Sequence, residues 1–143
     1  MEPHGGHPKQ NVVAVIPARF GSVRLPGKLL LDINGKPLIL HTLDRVRDAG
    51  SVQRVIVATD DRRIETVVKG AAGEVVMTSP DHASGSDRVA EVAESLPEGT
   101  ILVNVQGDEP EISPETIDRA VAALIEDASV DIATTFGPIT SID

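Results

Sequence analysis

The chain has 143 residues, of which 22 are acidic and 13 are Lys or Arg, so its formal net charge is −9. Hydrophobic residues make up 41% of the sequence, which is enough for a core and excludes wholesale disorder. The acidic balance, and the presence of only Phe20 and Phe136 as aromatic residues, argue against nucleic-acid binding through either phosphates or base stacking.

The cysteine-free composition narrows the chemistry further. Without cysteine there is no disulfide framework, zinc–cysteine site or thiol nucleophile, and the composition fits a reducing cytoplasm. No apolar run approaches the ~18 residues of a membrane span, so we expect no membrane insertion. Residues 1–11 are predicted to be a flexible tail, and residues 12–143 to be part of a single domain.

Strand-like and helix-like segments alternate along the chain. The β-branched run at Val12–Ile16 is typical of a strand buried on both faces. A helix with apolar residues at helical spacing is expected from Pro37, followed by a second strand at Arg54–Ala58. Asp60 is expected to cap a short helix that precedes a third strand at Glu74–Met77.

The second half continues this alternation. After a further helix, a fourth strand is expected at Ile101–Val105, and Ser113 should cap a helix with Pro114 at its first position. A fifth strand is expected at Asp131–Thr135. Strands separated by helices predict an α/β fold with an open, doubly wound, mostly parallel sheet. Because the last strand would be an exposed edge, we interpret the chain, which ends at Asp143, as the front portion of a larger domain.

The loop after the first strand concentrates positive charge. It contains Arg19, Arg24 and Lys28 and no acidic residue, although the whole chain has a net charge of −9. Ligands of open α/β sheets bind beyond the carboxyl ends of the strands, and cations with free backbone amides suit a polyphosphate. The loop matches neither the Walker pattern nor GxGxxG, so a solvated basic loop is the alternative.

The loop after the fourth strand offers a carboxylate. Gly107 stands where a side chain would obstruct a ligand, and Asp108 follows on the ligand side of the sheet. A carboxylate that faces a phosphate-binding loop suits Mg²⁺, which bridges phosphate oxygens and one or two carboxylates. The alternative is a turn acid that binds local amides.

The loop after the third strand opens a helix. The amides of Ser84, Gly85 and Ser86 could hold an anion, and Arg88, one turn further on, could reach the same ligand. An ordinary helix cap, with Arg88 on an exposed face, is the alternative. His82 has no acid or nucleophile partner visible in the sequence, and we interpret it as structural.

A series of motifs in chain order resembles one known family. IPAR, RLPGK, DINGKPLI, VIVATDD, DHASGSDR and VNVQGDEP resemble the 3-deoxy-D-manno-octulosonate (Kdo) cytidylyltransferases, or CMP-Kdo synthetases, from Val12 to about Ile139. The CMP-sialic acid synthetases begin with a similar loop but usually lack RLPGK and VNVQGDEP. The resemblance therefore favours Kdo over sialic acid.

The resemblance implies a Rossmann-like nucleotide-diphospho-sugar transferase fold and a cytoplasmic enzyme of lipopolysaccharide synthesis. The implied reaction converts CTP and Kdo into CMP-Kdo and pyrophosphate, with Mg²⁺ as cofactor. Arg19 and Lys28 would hold the triphosphate, Asp108 would bind magnesium, and the backbone at Pro17 and Ala18 would lie against cytosine. The other predicted substrate-binding positions are Ser22, Arg24, Ser84, Gly85, Ser86, Arg88 and Gln106.

The family also extends beyond the end of this chain. The resemblance implies that the absent C-terminal part contributes the last strands, a second metal-binding aspartate and the interface of a homodimer. The family pattern SGTER appears here as SGSDR, in which Ser86 keeps the hydroxyl and Asp87 keeps the charge. Two alternatives stay open: a transferase that acts on sialic acid, and a nucleotide-binding fragment without activity.

Overall fold

The computed structural model describes residues 11–21, 25–127 and 129. The predicted strand Asp131–Thr135 lies outside these residues, as do Ser22 and Arg24 and the tail up to residue 10. In chain order the elements are β1 (Val12–Ala18), β2 (Asp32–Ile33), β3 (Lys36–Pro37), α1 (Leu38–Arg47), β4 (Arg54–Thr59), α2 (Arg62–Gly70), β5 (Glu74–Met77), α3 (Gly85–Ala93), β6 (Ile101–Asn104) and α4 (Pro114–Glu126).

Four parallel strands form the central sheet in the order β5–β4–β1–β6. Val13 of β1 pairs with Arg54 of β4 on one side, and Val12 pairs with Ile101 of β6 on the other. The chain thus moves outward from β1 to β5 and then returns past β1 to form β6. This reversal confirms the predicted doubly wound parallel sheet for the described residues, and it places the switch point between β1 and β6.

Alternate residues of β1 face the two layers of helices. Ala14 and Ile16 belong to the larger core cluster, which includes apolar residues of α1, α2 and α4. Val13 and Val15 face the opposite side, where Val92 of α3 packs. Every residue of β1 is buried, which explains why the strand is apolar throughout rather than alternating. Among the described residues, none of the helices has the length and apolar character that a bilayer crossing requires.

The cap of α2 differs by one residue from the prediction. Asp61, and not Asp60, accepts hydrogen bonds from the backbone N–H groups of Arg63 at 2.8 Å and Ile64 at 3.3 Å. The prediction of Asp60 was wrong because an N-cap side chain must reach the second or third helical amide, and the helix begins at Arg62. Periodicity does not distinguish two adjacent aspartates.

A short hairpin precedes α1 and was not among the predicted elements. Strands β2 and β3 pair around Asn34 and Gly35, whose φ angles are 53° and 92°. An Asn-Gly pair with positive φ at both residues is the preferred two-residue turn of hairpins, so the sequence did carry the signal. The Nε2 atom of His41 in α1 lies 2.6 Å from the carbonyl oxygen of Ile33, which attaches the hairpin to the helix.

Candidate active site

A cleft of about 330 Å³ opens at the carboxyl ends of β1 and β6. It lies at the switch point of the sheet, where open α/β folds bind ligands. Three segments form its walls, namely the loop after β1, the loop after β6 and the first residue of α3. Its lining residues are Pro17, Arg19, Gly21, Lys28, Leu29, Gly85, Gln106, Gly107 and Asp108.

An accessible ion pair spans the cleft. Lys28 Nζ donates to Asp108 Oδ2 at 3.2 Å, and the two side chains remain 45% and 47% exposed. Arg19 is exposed in the same lining. An ion pair this open to water is weakly held, so Lys28 can exchange its carboxylate partner for phosphate oxygens. Two cations and one carboxylate in the lining of one cleft suit a polyphosphate that carries a divalent cation.

Gly107 leaves little room for a side chain in the loop after β6. A Cβ at this position would lie 3.1 Å from the Cδ1 atoms of Leu29 and Ile39 and 3.3 Å from the Pro17 carbonyl oxygen. Gly107 also lines the cleft, so the obstruction of a ligand that the sequence suggests at this position stays a prediction. Thr42, buried in α1, donates from Oγ1 to the Gly107 carbonyl at 2.7 Å and anchors the loop.

The N-terminus of α3 forms the third wall. A Cβ on Gly85 would lie 3.2 Å from the ring of Pro17 and 3.3 Å from Gln106 Oε1, so glycine permits this close approach. Ser84 is the N-cap residue, and its Oγ accepts a backbone N–H three residues further on at 3.2 Å. Ser84 and Ser86 are exposed but are not part of the cleft lining.

Arg88 lies where neither sequence-based interpretation puts it. Its side chain is buried, with a residue exposure of 1%, and it does not line the cleft. The guanidinium donates to Thr78 Oγ1 and, at 3.2 Å, to the Ser79 carbonyl, and its Nη2 lies 3.9 Å from Asp60 Oδ2. Its buried Nε has no hydrogen-bond partner among the described residues. Arg88 therefore joins α3 to the loops after β4 and β5, and it forms neither a cleft contact nor an exposed helix face.

His82 has an acidic partner that the sequence did not reveal. Its Nε2 lies 2.6 Å from Glu91 Oε1, which also accepts the backbone N–H of Ser79 at 3.0 Å. These hydrogen bonds, first that from Ser79 and then that from His82, lower the pKa of Glu91. The pairing arises because the loop after β5 folds back along α3.

About half of the predicted site residues line the cleft. Ala18 is fully buried at the end of β1 and is not part of the lining. Leu29 lines the cleft but was not predicted, because an apolar residue carries no chemical signal of its own. Gly21, at which the sequence suggests that a ligand can approach closely, lines the cleft as well. The predicted residues that line the cleft are Pro17, Arg19, Lys28, Gly85, Gln106 and Asp108.

Comparison with known proteins identifies the family. Residues 13–142 match the family model described as Cytidylyltransferase. The chain belongs to the cytidylyltransferase family. It is 52% identical over 124 residues to a curated cytidylyltransferase, the 3-deoxy-manno-octulosonate cytidylyltransferase of Geobacter sulfurreducens, with 87% of this chain and 49% of that protein covered. The enzyme of the same name from Pelobacter propionicus is 53% identical over 124 residues, which cover 87% and 48% of the two chains.

Solved structures of cytidylyltransferases have the same fold. A structure of CMP:2-keto-3-deoxy-manno-octonic acid synthetase complexed with CTP gives a TM-score of 0.81 at 45% identity, covering 85% of this chain and 50% of that chain. A cytidylyltransferase from Leptospira borgpetersenii gives a TM-score of 0.72 at 26% identity, covering 82% and 50%. The chain spans about half the length of the curated relatives it matches.

Proposed function

We propose that this chain is the CTP-binding portion of an enzyme that transfers a cytidylyl group from CTP to the anomeric hydroxyl of Kdo. The observation that carries the proposal is the cleft at the switch point, where Lys28 pairs with Asp108 and Arg19 lines the same cavity. The names of the relatives and the CTP complex of a similar structure support the nucleotide and the acceptor. A cytoplasmic location and a homodimer of the longer enzyme belong to the same proposal.

The proposed chemistry is electrostatic stabilisation of phosphoryl transfer. The anomeric oxygen of Kdo bonds to the α-phosphorus of CTP as the bond to the pyrophosphate oxygen breaks, and the hydroxyl proton passes to solvent. Arg19 and Lys28 would stabilise the negative charge that spreads over the phosphoryl oxygens. Pro17 and Gly85, which line the cleft and lie close to each other, would orient the nucleotide.

Mg²⁺ is the metal ion that the donor set fits. Asp108 presents one accessible carboxylate, and the part of the chain that the structure describes has no group of three or more His, Cys, Asp or Glu able to hold a metal. A single carboxylate suits Mg²⁺, which binds through one or two carboxylates together with substrate phosphates rather than in a cage of protein ligands. Asp108 would hold the ion, and the bound ion would neutralise phosphate charge.

The proposal is tested by measuring nucleotide binding and turnover separately. We expect calorimetry with Mg²⁺ to show binding of CTP and much weaker binding of UTP. Pyrophosphate release should require Kdo and should not occur with sialic acid. A wild-type chain that fails to bind CTP would contradict the proposal. CTP binding without pyrophosphate release would favour the alternative of a nucleotide-binding portion that lacks activity by itself.

A further inference from the structure

The two cations of the cleft, Arg19 and Lys28, are sequence neighbours of two residues that contact each other, Phe20 and Gly27. Phe20 follows Arg19, and Gly27 precedes Lys28. The N–H of Gly27 donates to the Phe20 carbonyl at 2.8 Å, so the two ends of the segment meet at a hydrogen bond. Gly27 has a φ of +76°, and a Cβ there would lie 3.1 Å from the Phe20 ring. Glycine is therefore needed at this position for both conformation and space.

Arg63, from the first turn of α2, covers the Phe20 ring. Its Cζ lies 3.3 Å from the ring centroid, well within the ~6 Å range of a cation–π interaction. Asp61 holds the guanidinium with two hydrogen bonds, from Nη2 at 2.7 Å and from Nε at 3.2 Å. This bidentate pairing fixes the plane of the guanidinium over the ring. The stack therefore runs from Asp61 through Arg63 and Phe20 to Gly27.

We infer that Phe20 and Arg63 are positioning residues for Arg19 and Lys28, an inference that rests on the proposed function for the identity of the ligand. Neither Phe20 nor Arg63 lines the cleft, so we expect their effect on binding to act through the backbone next to the two cations. The far end of the stack is firm, because the next residue of α2, Ile64, is fully buried in the core. The stack thus ties a ligand-binding segment to a rigid helix.

The helix start provides a matched control. Arg62 has the same charge as Arg63 and is its neighbour in sequence, but it pairs with Glu65 at 3.5 Å and its side chain is 86% exposed. Arg62→Ala therefore removes one positive charge from the same turn without touching the stack. On the ring side, Phe20→Leu removes the π face, whereas Phe20→Tyr keeps it.

The first measurement is the affinity for CTP in the presence of Mg²⁺. We expect Phe20→Leu and Arg63→Ala to raise the Kd for CTP about three- to fivefold, the effect expected from losing one exposed cation–π contact. Phe20→Tyr and Arg62→Ala should stay within about twofold of wild type, since the stack persists. Thermal unfolding of each variant shows whether a loss of affinity is a loss of fold. A variant that unfolds at the wild-type temperature but has a raised Kd for CTP has lost the positioning of the cations and not the fold.

The second measurement needs no ligand, so it distinguishes failure of this inference from failure of the proposed function. Limited trypsin digestion with mass spectrometry gives the rates of cleavage after Arg19 and after Lys28. We expect faster cleavage in Phe20→Leu and Arg63→Ala than in wild type and Arg62→Ala. Equal cleavage rates in all of these proteins would overturn the inference, whatever the CTP affinity. A wild-type chain that binds no CTP would overturn the proposed function, and the cleavage rates would still decide the role of the stack.

Discussion

Two clusters of charge lie at the carboxyl end of the sheet, and they are built in opposite ways. In the cleft beside β1 and β6, Lys28 and Asp108 pair at 3.2 Å while each side chain stays nearly half exposed. Beyond β4 and β5, Arg88 is buried, and its guanidinium donates to Thr78 and Ser79. The first cluster is open to a ligand, whereas protein atoms already occupy most of the second.

This difference in solvent exposure predicts which substitutions change ligand binding and which change stability. A buried guanidinium is costly unless it is hydrogen-bonded, so Arg88 is committed to holding the loops around it. An exposed ion pair contributes little to stability, so Lys28 can be replaced or can change partner at small cost to the fold. Substitutions in the cleft should therefore change ligand binding, and substitutions around Arg88 should change the free energy of unfolding.

The largest effect is expected in the cleft. Lys28→Ala should weaken CTP binding or turnover at least about tenfold, since one lost contact to a developing charge costs up to ~2.7–4 kcal/mol. Asp108→Asn should lower turnover to a similar extent. The free energy of unfolding should change by less than ~1 kcal/mol in each.

Calorimetry with CTP, pyrophosphate release and urea unfolding are the measurements. Lys36→Ala is the matched control, because Lys36 is a similarly exposed lysine that pairs with Asp44 at the hairpin and lies outside the cleft lining. Near-normal rates in Lys28→Ala would contradict the assigned role.

The next largest effect is expected at the buried cluster around Arg88, and it is an effect on stability rather than on ligand binding. Arg88→Ala should lower the free energy of unfolding by about 1–3 kcal/mol, because it leaves the partners of the guanidinium unsatisfied. Urea unfolding checks this value, with Arg119→Ala on the exposed surface of α4 as the control. An unfolding midpoint equal to that of wild type would break the comparison, since Arg88 would then not hold the loops together.

A smaller effect is expected where the cleft meets the core. Gly107→Ala should destabilise the fold by about 1 kcal/mol, because its Cβ would press on Leu29 and Ile39. Gly70→Ala is the control, since a Cβ at the end of α2 meets nothing within 4 Å and should stabilise by up to ~1 kcal/mol. If both variants unfold at the same urea concentration, the loop after β6 is less tightly packed than the structure indicates.

The smallest effect concerns the loss of stability at low pH. Hydrogen bonds from Ser79 and His82 lower the pKa of Glu91, so its stabilising contribution is present above the unfolded-state pKa of about 4.3 and is lost as the pH falls through the lower native value. Glu91→Gln should therefore reduce the drop in urea midpoint between about pH 6 and pH 3. An unchanged drop in the variant would show that this carboxylate adds nothing to the acid sensitivity of the fold.

The sequence predicted the elements whose patterns are local. The continuous apolar run of β1 indicated a strand with helices on both faces, and Pro114 marked the start of α4 correctly. The choice between Asp60 and Asp61 as a cap was missed, because it depends on which carboxylate reaches a particular amide. The hairpin at Asn34 and Gly35 was also missed, although its turn signal was in the sequence.

The sequence by itself determined the order of the four sheet strands and the four helices, and the kinds of side chain in each loop, because these depend on neighbouring residues. Only the tertiary structure decided which of these side chains meet. Lys28 and Asp108 are 80 positions apart, and they pair because the chain reverses direction across the sheet and sets β6 beside β1. Arg88 and Lys28 are both cations near small residues in sequence. Packing buries one and leaves the other exposed, and that difference in solvent access decides which can bind a ligand.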